Sequence, residues 1–311
     1  MPKSLQEQID ACPYWYHRIE LPDGIVTPGW APIAPDAYAI PEDMTGMRVL
    51  DVGAWDGYWT FEALRRGADE VLAIENFSDL IDPQWEAGHR TWRTFDLCRD
   101  ALGYSKGVCR REAVSLYDVT KERFGEFDVV FFFGTLYHCR YPLLALDTLS
   151  KVCRQMIFVE SATCNRVSGH RGQGEGYPDS RHVVAEFFPQ GTFNQLTNWW
   201  VPTLSCMAMM MKTAGWPTVV AWELTDTPSD IPECRGHARG SKYQSVQDKR
   251  EEGHTGLSYS LHEPASKRMD TRRLDKPEEQ KVSEPLDSAI GVEEQRMCKL
   301  RSSAAITQAQ A

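Results

Sequence analysis

Two short stretches hold the residues best placed to do chemistry. In the first, Asp51, Gly53, Ala54, Trp55 and Gly57 fall within Arg48–Tyr58, which reads as a buried strand, a glycine turn and a helix start. Gly53 has no Cβ and lets ligand atoms approach the backbone. Gly57 permits the close turn into a helix whose first amides face the ligand. An acidic residue, Glu75, closes the next apolar run, Val71-Leu72-Ala73-Ile74, 18 residues after Gly57. A carboxylate there accepts from both hydroxyls of a ribose, so the spacing builds a nucleoside-binding crevice. A dinucleotide site prefers G-x-G-x-x-G; here the order is Gly53-x-x-x-Gly57, without a glycine triplet to cradle pyrophosphate. That makes a nicotinamide or flavin the lesser reading. The second stretch is Gly134-Thr135-Leu136-Tyr137-His138, just after an apolar run. His138 is a candidate general base for a hydroxyl or protonated amine, or else a loop-orienting residue bonded to backbone. Tyr137 either touches the ligand or packs.

Such residues need a scaffold, and the chain supplies a βα rhythm from residue 48. Strands are expected at about 48–53, 70–75, 110–115, 127–133, 156–160 and 217–223, with a last short one at about 233–238. Helices are expected at about 57–66, 83–102, 143–152 and 204–213, with Thr203 as an N-cap and Gly215 as a stop. Phe127-Asp128-Val129-Val130-Phe131-Phe132-Phe133 is apolar almost throughout, as suits a strand buried on both faces of a parallel sheet. The expected fold is α/β and Rossmann-like: a mostly parallel seven-stranded sheet with helices on both faces. Ligands then bind at the carboxyl ends of the strands.

Three segments follow: an N-terminal cap over 1–47, the folded domain over 48–240, and a charged tail over 241–311. The cap holds a short helix at about 4–11 and an aromatic stretch, 14–21, that reads as strand or cap. The tail is polar and aperiodic, reading as largely disordered with a short helix near 288–300. An insert at about 162–190, rich in Gly, Arg and His, is either a loop that closes over an acidic acceptor or a solvated surface loop. Met207–Met211 reads as core helix surface. Trp199 and Trp200 either wall an acceptor pocket with flat aromatic surface or pack in the core. Trp30 and His17 are further candidates for the acceptor side, His17 being equally a satisfied capping histidine.

Bulk properties narrow the class. Nine cysteines are scattered with no C-x-x-C pair, which disfavours a disulfide framework or a zinc site; no metal is expected. No apolar run reaches the roughly 18 residues of a membrane helix, and the polar N-terminus lacks a signal-peptide core. A cytoplasmic protein without a membrane partner is expected. The net charge of −10 resides wholly in residues 1–240, with 22 Lys/Arg against 32 Asp/Glu; the tail holds 12 of each. An acidic folded part disfavours a large nucleic-acid footprint.

Asp51-x-Gly53-x-x-x-Gly57 resembles motif I of class I S-adenosylmethionine (SAM) methyltransferases, D-x-G-x-G-x-G, with Trp55 in place of the middle glycine. Gly134–Leu143 resembles the G-x-L-Y-H-x-x-x-P-L segment of the tRNA wobble-uridine carboxymethyltransferase family and its small-molecule methyltransferase relatives. Trp15–Leu21, Asn198–Thr203 and Arg235–Arg239 resemble further family segments, so the similarity spans about 13–240. The resemblance implies donor contacts from Gly53, Glu75, Asn76, Phe77, Ser115, Leu116, Phe133, Tyr137 and Arg235. In the carboxymethyl-transferring enzymes the matching Tyr and Arg, with lysines before the first strand, hold the donor's extra carboxylate. Residues 13–47 contain no lysine here, and a buried carboxylate without a cationic partner is costly. Ordinary SAM is therefore the expected cofactor, with carboxy-S-adenosylmethionine as the lesser alternative. The expected function is methyl transfer to O or N of a small-molecule acceptor, such as a specialised metabolite. Wobble-uridine modification of tRNA is a second reading, and a non-catalytic SAM-binding regulator a third.

Overall fold

The computed structural model describes residues 3–12, 14–31, 33, 35–75, 92–170, 175–179, 181–192, 197–223, 234–243 and 260–261. These lie in the first of two units that meet after Pro264. The expected donor contacts Asn76 and Phe77, the expected helix near 288–300 and nearly all of the tail lie outside the described residues.

Strand β1 (Arg48–Val52) leads through a turn into helix α1 (Tyr58–Arg65), and β2 (Glu70–Glu75) follows. A helix α2 (Arg93–Ala101), with Trp92 at its N-cap, precedes β3 (Cys109–Ala113); the rest of the helical range expected from residue 83 lies outside the described residues. Strand β4 (Phe127–Phe133) is buried at every position. Its one charge, Asp128, is matched by the Arg48 amide and by Arg154 and Gln155, each 2.8–2.9 Å away, so burial carries no unpaired carboxylate. Helix α3 (Pro142–Val152) begins with proline in its first turn, where a missing N–H costs nothing, and leads into β5 (Cys153–Ala162).

The insert contains β6 (Ala185–Phe187), paired antiparallel with β7 (Trp200–Pro202). Thr203 caps helix α4 (Leu204–Thr213) by accepting from the Cys206 amide. Two strands then close the sheet, β8 (Thr218–Glu223) and β9 (Arg235–Ser241), and β9 runs antiparallel to both β5 and β8. The order is β10-β8-β9-β5-β4-β1-β2-β3. The seven strands β1–β5, β8 and β9 make the expected sheet. The eighth, β10 (Ser260–Leu261), pairs parallel with β8 and comes from a segment expected to be unstructured.

One face of the sheet packs Leu50, Leu72, Val130, Phe132 and Ile157 against α3 and α4. The other packs Val49, Val71, Phe131 and Phe158 against α1, α2 and the aromatic N-terminal segment. That segment is not a strand; its pairing is an isolated bridge between Glu20 and Val26. Among the described residues no helix is long and apolar enough to cross a membrane.

Candidate active site

Parallel register brings the carboxyl ends of β1, β2, β3 and β4 to one edge. Val52 lies opposite Ile74, Glu75 opposite Ala113, and Phe133 opposite Glu160 of β5. Gly53 and Gly57 both take positive φ, 77° and 92°, where a side chain is strained. A Cβ on Gly53 would collide with Thr135 Oγ1, which donates to the Val52 and Phe133 carbonyls. The slot expected to expose backbone is thus the one through which Thr135 ties β1 to β4.

Trp55, standing at the middle glycine of motif I, adopts a left-handed φ of 51°. Its amide donates to Glu75 Oε2 at 3.0 Å, so the turn and the strand-end carboxylate position each other. Its indole lies edge-on to Tyr14 at 5.9 Å and tilted against Tyr16 at 6.3 Å. Ala54 is buried beside it. Asp51 is buried and accepts from Thr60 Oγ1 at 2.6 Å; loss of hydration pushes its pKa up to about 6.

Asp56, which sequence reasoning passed over, clamps the N-terminal segment to this turn. One of its oxygens accepts from the Tyr16 and His17 amides at 3.0 and 2.8 Å, and the other pairs with His17 Nδ1. His17 is buried and stacked on Tyr58, which places it in the clamp. Trp30 is 64% exposed and bonded to the Tyr14 hydroxyl.

Beyond β4, Gly134 (φ 62°) opens a cradle: a Cβ there would lie 3.6 Å from Tyr137 Oη, 3.8 Å from Glu160 Oε2 and 4.0 Å from Arg235 Nη2. Glu160 accepts from Arg235 Nε and, at 2.9 Å, from the Gly134 amide. Arg235 donates to Tyr137 Oη at 3.4 Å, and its guanidinium lies 5.1 Å over the Tyr137 ring. Coulombic attraction to Glu160 holds the Arg235 pKa well above its usual value despite burial. Tyr16 and Tyr38 feel the same Arg–Glu pair, and burial raises both phenol pKa values. Glu160 lies near the carboxyl end of β5, as Glu75 ends β2, a signal present in the sequence but not used.

His138 Nδ1 lies 3.1 Å from the Thr197 carbonyl, which can only accept. The Thr197 hydroxyl, 3.2 Å from the same nitrogen, can accept as well, so the carbonyl assigns the hydrogen to Nδ1 and the lone pair to Nε2. Burial pushes the pKa down to about 4, so the ring is neutral at neutral pH. The same clasp joins the Trp199 amide to the Tyr137 carbonyl at 2.8 Å and sets the Arg140 guanidinium 4.4 Å over the Trp199 ring. Trp199 is buried, and Trp200 lies tilted against Phe187 and donates to the Arg140 carbonyl. Ser115 caps the turn after β3, and Leu116 beneath it is buried in the core.

These residues fit a nucleoside sulfonium donor: a carboxylate ends β2, two left-handed glycines bound the turn, and a side-chain-free Gly134 follows β4. Edge and fold together define a class I SAM-dependent methyltransferase. The chain belongs to the methyltransferase domain family, whose sequence profile it matches over residues 32–198.

Among curated relatives, the tRNA U34 carboxymethyltransferase of Pseudomonas fluorescens (strain SBW25) is 28% identical over 227 residues, covering 70% of this chain and 58% of that protein. The same-named enzyme of Pseudomonas syringae pv. syringae (strain B728a) is 28% identical over 224 residues, with the same coverage. The chain thus spans somewhat over half the length of these relatives. Among solved structures, the N-terminal domain of EvdMO1 in the presence of SAH and D-fucose is similar in fold. Its TM-score is 0.52 and its identity 18%, covering 76% of this chain and 95% of that one.

Proposed function

We propose that this chain methylates an oxygen or nitrogen of a small-molecule acceptor. The observation that carries the reading is His138: its Nδ1–H is fixed on the Thr197 carbonyl, and its Nε2 lone pair is kept unprotonated at neutral pH by burial. Bound SAM supplies an already activated methyl group on a sulfonium. The chain's own residues then align the acceptor, exclude water and receive a proton. Gly53, Glu75, Ser115 and Phe133 hold the nucleoside end, while Tyr137 and Arg235 border the reacting end. Trp199 and Trp200 form the acceptor side of the clasp.

Ordinary SAM is favoured over the carboxylated donor by charge. Arg235 already balances Glu160, so an added carboxylate needs a second cation, and residues 13–47 offer no lysine. The fold shared with a protein crystallised with SAH and D-fucose is compatible with a small acceptor. Residues 1–47 serve as a cap and 48–240 as the catalytic domain, and the segment after 240 adds β10 to the sheet beside β8. The free thiols of Cys12, Cys98, Cys109, Cys153, Cys164 and Cys206 suit the cytoplasm.

Thermal shifts with SAM, SAH and NAD test the donor. A micromolar ligand at millimolar concentration adds about 4 kcal/mol of stability, expected for SAM and SAH; stabilisation by NAD alone contradicts the reading. Release of SAH with an acceptor panel rejects a non-catalytic regulator. A second reading, modification of a tRNA wobble uridine, is favoured by the 28%-identical relatives.

A further inference from the structure

His237 is a buried titratable group that the reading above does not use. It lies on β9 opposite Glu160 of β5 and Trp222 of β8, so the three side chains share one face of the sheet. It is 1% exposed. Neither ring nitrogen has a hydrogen-bond partner among the described residues. Two other described histidines are not left this way: His17 is held by Asp56 and His138 by Thr197.

Neighbouring groups are already committed. Trp222 Nε1 donates to the Ala37 carbonyl at 3.0 Å, and Glu160 is bonded to Arg235 and to the Gly134 amide. Tyr38 meets the imidazole edge-on at 4.5 Å, and Trp222 stacks on it at 5.7 Å. Burial pushes the His237 pKa down to about 4, so the ring is neutral and presents one N–H and one lone pair. A buried polar atom left without a partner is costly, so each unmet nitrogen favours a ligand that satisfies it.

We propose that His237, with Tyr137, Glu160 and Arg235 around the Gly134 cradle, forms a polar socket that receives an uncharged, hydroxyl-rich ring as the acceptor. This deepens, and rests on, the small-molecule reading above. Three observations select that class. A hydroxyl both donates and accepts, which is what a neutral imidazole with two open nitrogens requires. The socket's charges cancel, because the Arg235 guanidinium is matched by Glu160, so a carboxylate or phosphate would be buried unpaired. Tyr38 and Trp222 line the imidazole with aromatic surface, a surrounding that suits the C–H faces of such a ring.

The test uses the full chain saturated with SAH and titrated calorimetrically with D-glucose, D-galactose, myo-inositol, benzoate and glucose 6-phosphate. At least one neutral polyol binds, and the two anions bind more weakly or not at all. His237→Phe keeps ring shape but removes both polar atoms; it weakens polyol binding about tenfold or more, as loss of a buried hydrogen bond predicts, and leaves SAH affinity unchanged. His237→Gln restores part of the polyol affinity. Preference for the anions, equal polyol affinity in His237→Phe, or SAH binding without polyol binding each overturns the proposal. Failure to bind SAH overturns the methyltransferase reading instead, so the two failures are separable.

Discussion

At the scale of single residues, Glu75 carries two duties. Its carboxylate accepts from the Trp55 amide and, in the proposed site, holds the donor's ribose. Glu75→Ala is expected to weaken SAH binding by about 1–3 kcal/mol, the range for losing a buried hydrogen-bond partner. Glu75→Gln keeps an acceptor for Trp55 and should lose less. Calorimetric affinities that do not move in Glu75→Ala would count against the nucleoside site. The titrating residues also make a stability claim. His138 and His237 fall from 6.5 to about 4 on folding. The unfolded chain therefore binds more protons than the folded one between those values, and both histidines favour folding as pH rises. Asp51 opposes them, because its folded pKa, about 6, lies above the ordinary 3.8 and its contribution falls as pH rises through that window. Each group is worth at most on the order of 3 kcal/mol, and two outweigh one. Unfolding free energy should rise between about pH 4 and about pH 6.5. His237→Phe should flatten that slope, which denaturant titrations across the window can check.

At the scale of elements, β1–β5, β8 and α1–α4 were legible because their patterns are local, whereas β6 and β7, in and beside the segment read as an irregular insert, were not. An unbroken apolar run made β4, a threonine cap started α4, and glycines ended α1 and α4. The N-terminal segment was not legible, because its conformation is set by Asp56, some 40 positions away, and no periodicity reports such a contact. The turn motif and His138 could be picked from type and spacing. The Gly134 cradle could not, since Glu160, Arg235 and His237 meet only through the antiparallel pairing of β5 with β9. The Asp56 clamp yields its own expectation. Asp56→Ala removes the acceptor for two amides and for the His17 ring, all buried, and should cost about 3–5 kcal/mol. It should also expose residues 14–31 to limited proteolysis before the sheet is cut. A cleavage pattern like that of the unaltered chain would mean that Tyr14, Tyr16 and Trp30 hold the segment without the clamp. Trp55→Gly should change stability little: it relieves about 1 kcal/mol of left-handed strain and gives up aromatic contacts of similar size.

At the scale of the whole molecule, charge separates the two acceptor readings. The similarity to tRNA-modifying enzymes covers 70% of the chain, yet residues 1–240 carry the entire −10, and the remainder is balanced. Binding to a polyanion draws its strength from releasing counterions as Lys and Arg replace them, and affinity falls steeply with added salt in proportion to the phosphates neutralised. In this chain many of the described arginines are already spent. Arg48 and Arg110 pair with Glu70, Arg99 and Arg111 with Asp96, Arg154 with Asp128, Arg166 with Glu223 and Arg235 with Glu160. These seven are already matched by carboxylates rather than left for phosphate. An electrophoretic assay with bulk tRNA should therefore give no shift even at low salt, while SAM still stabilises the protein. A shift that weakens steeply with salt would transfer the acceptor assignment to nucleic acid, leaving the donor crevice as described.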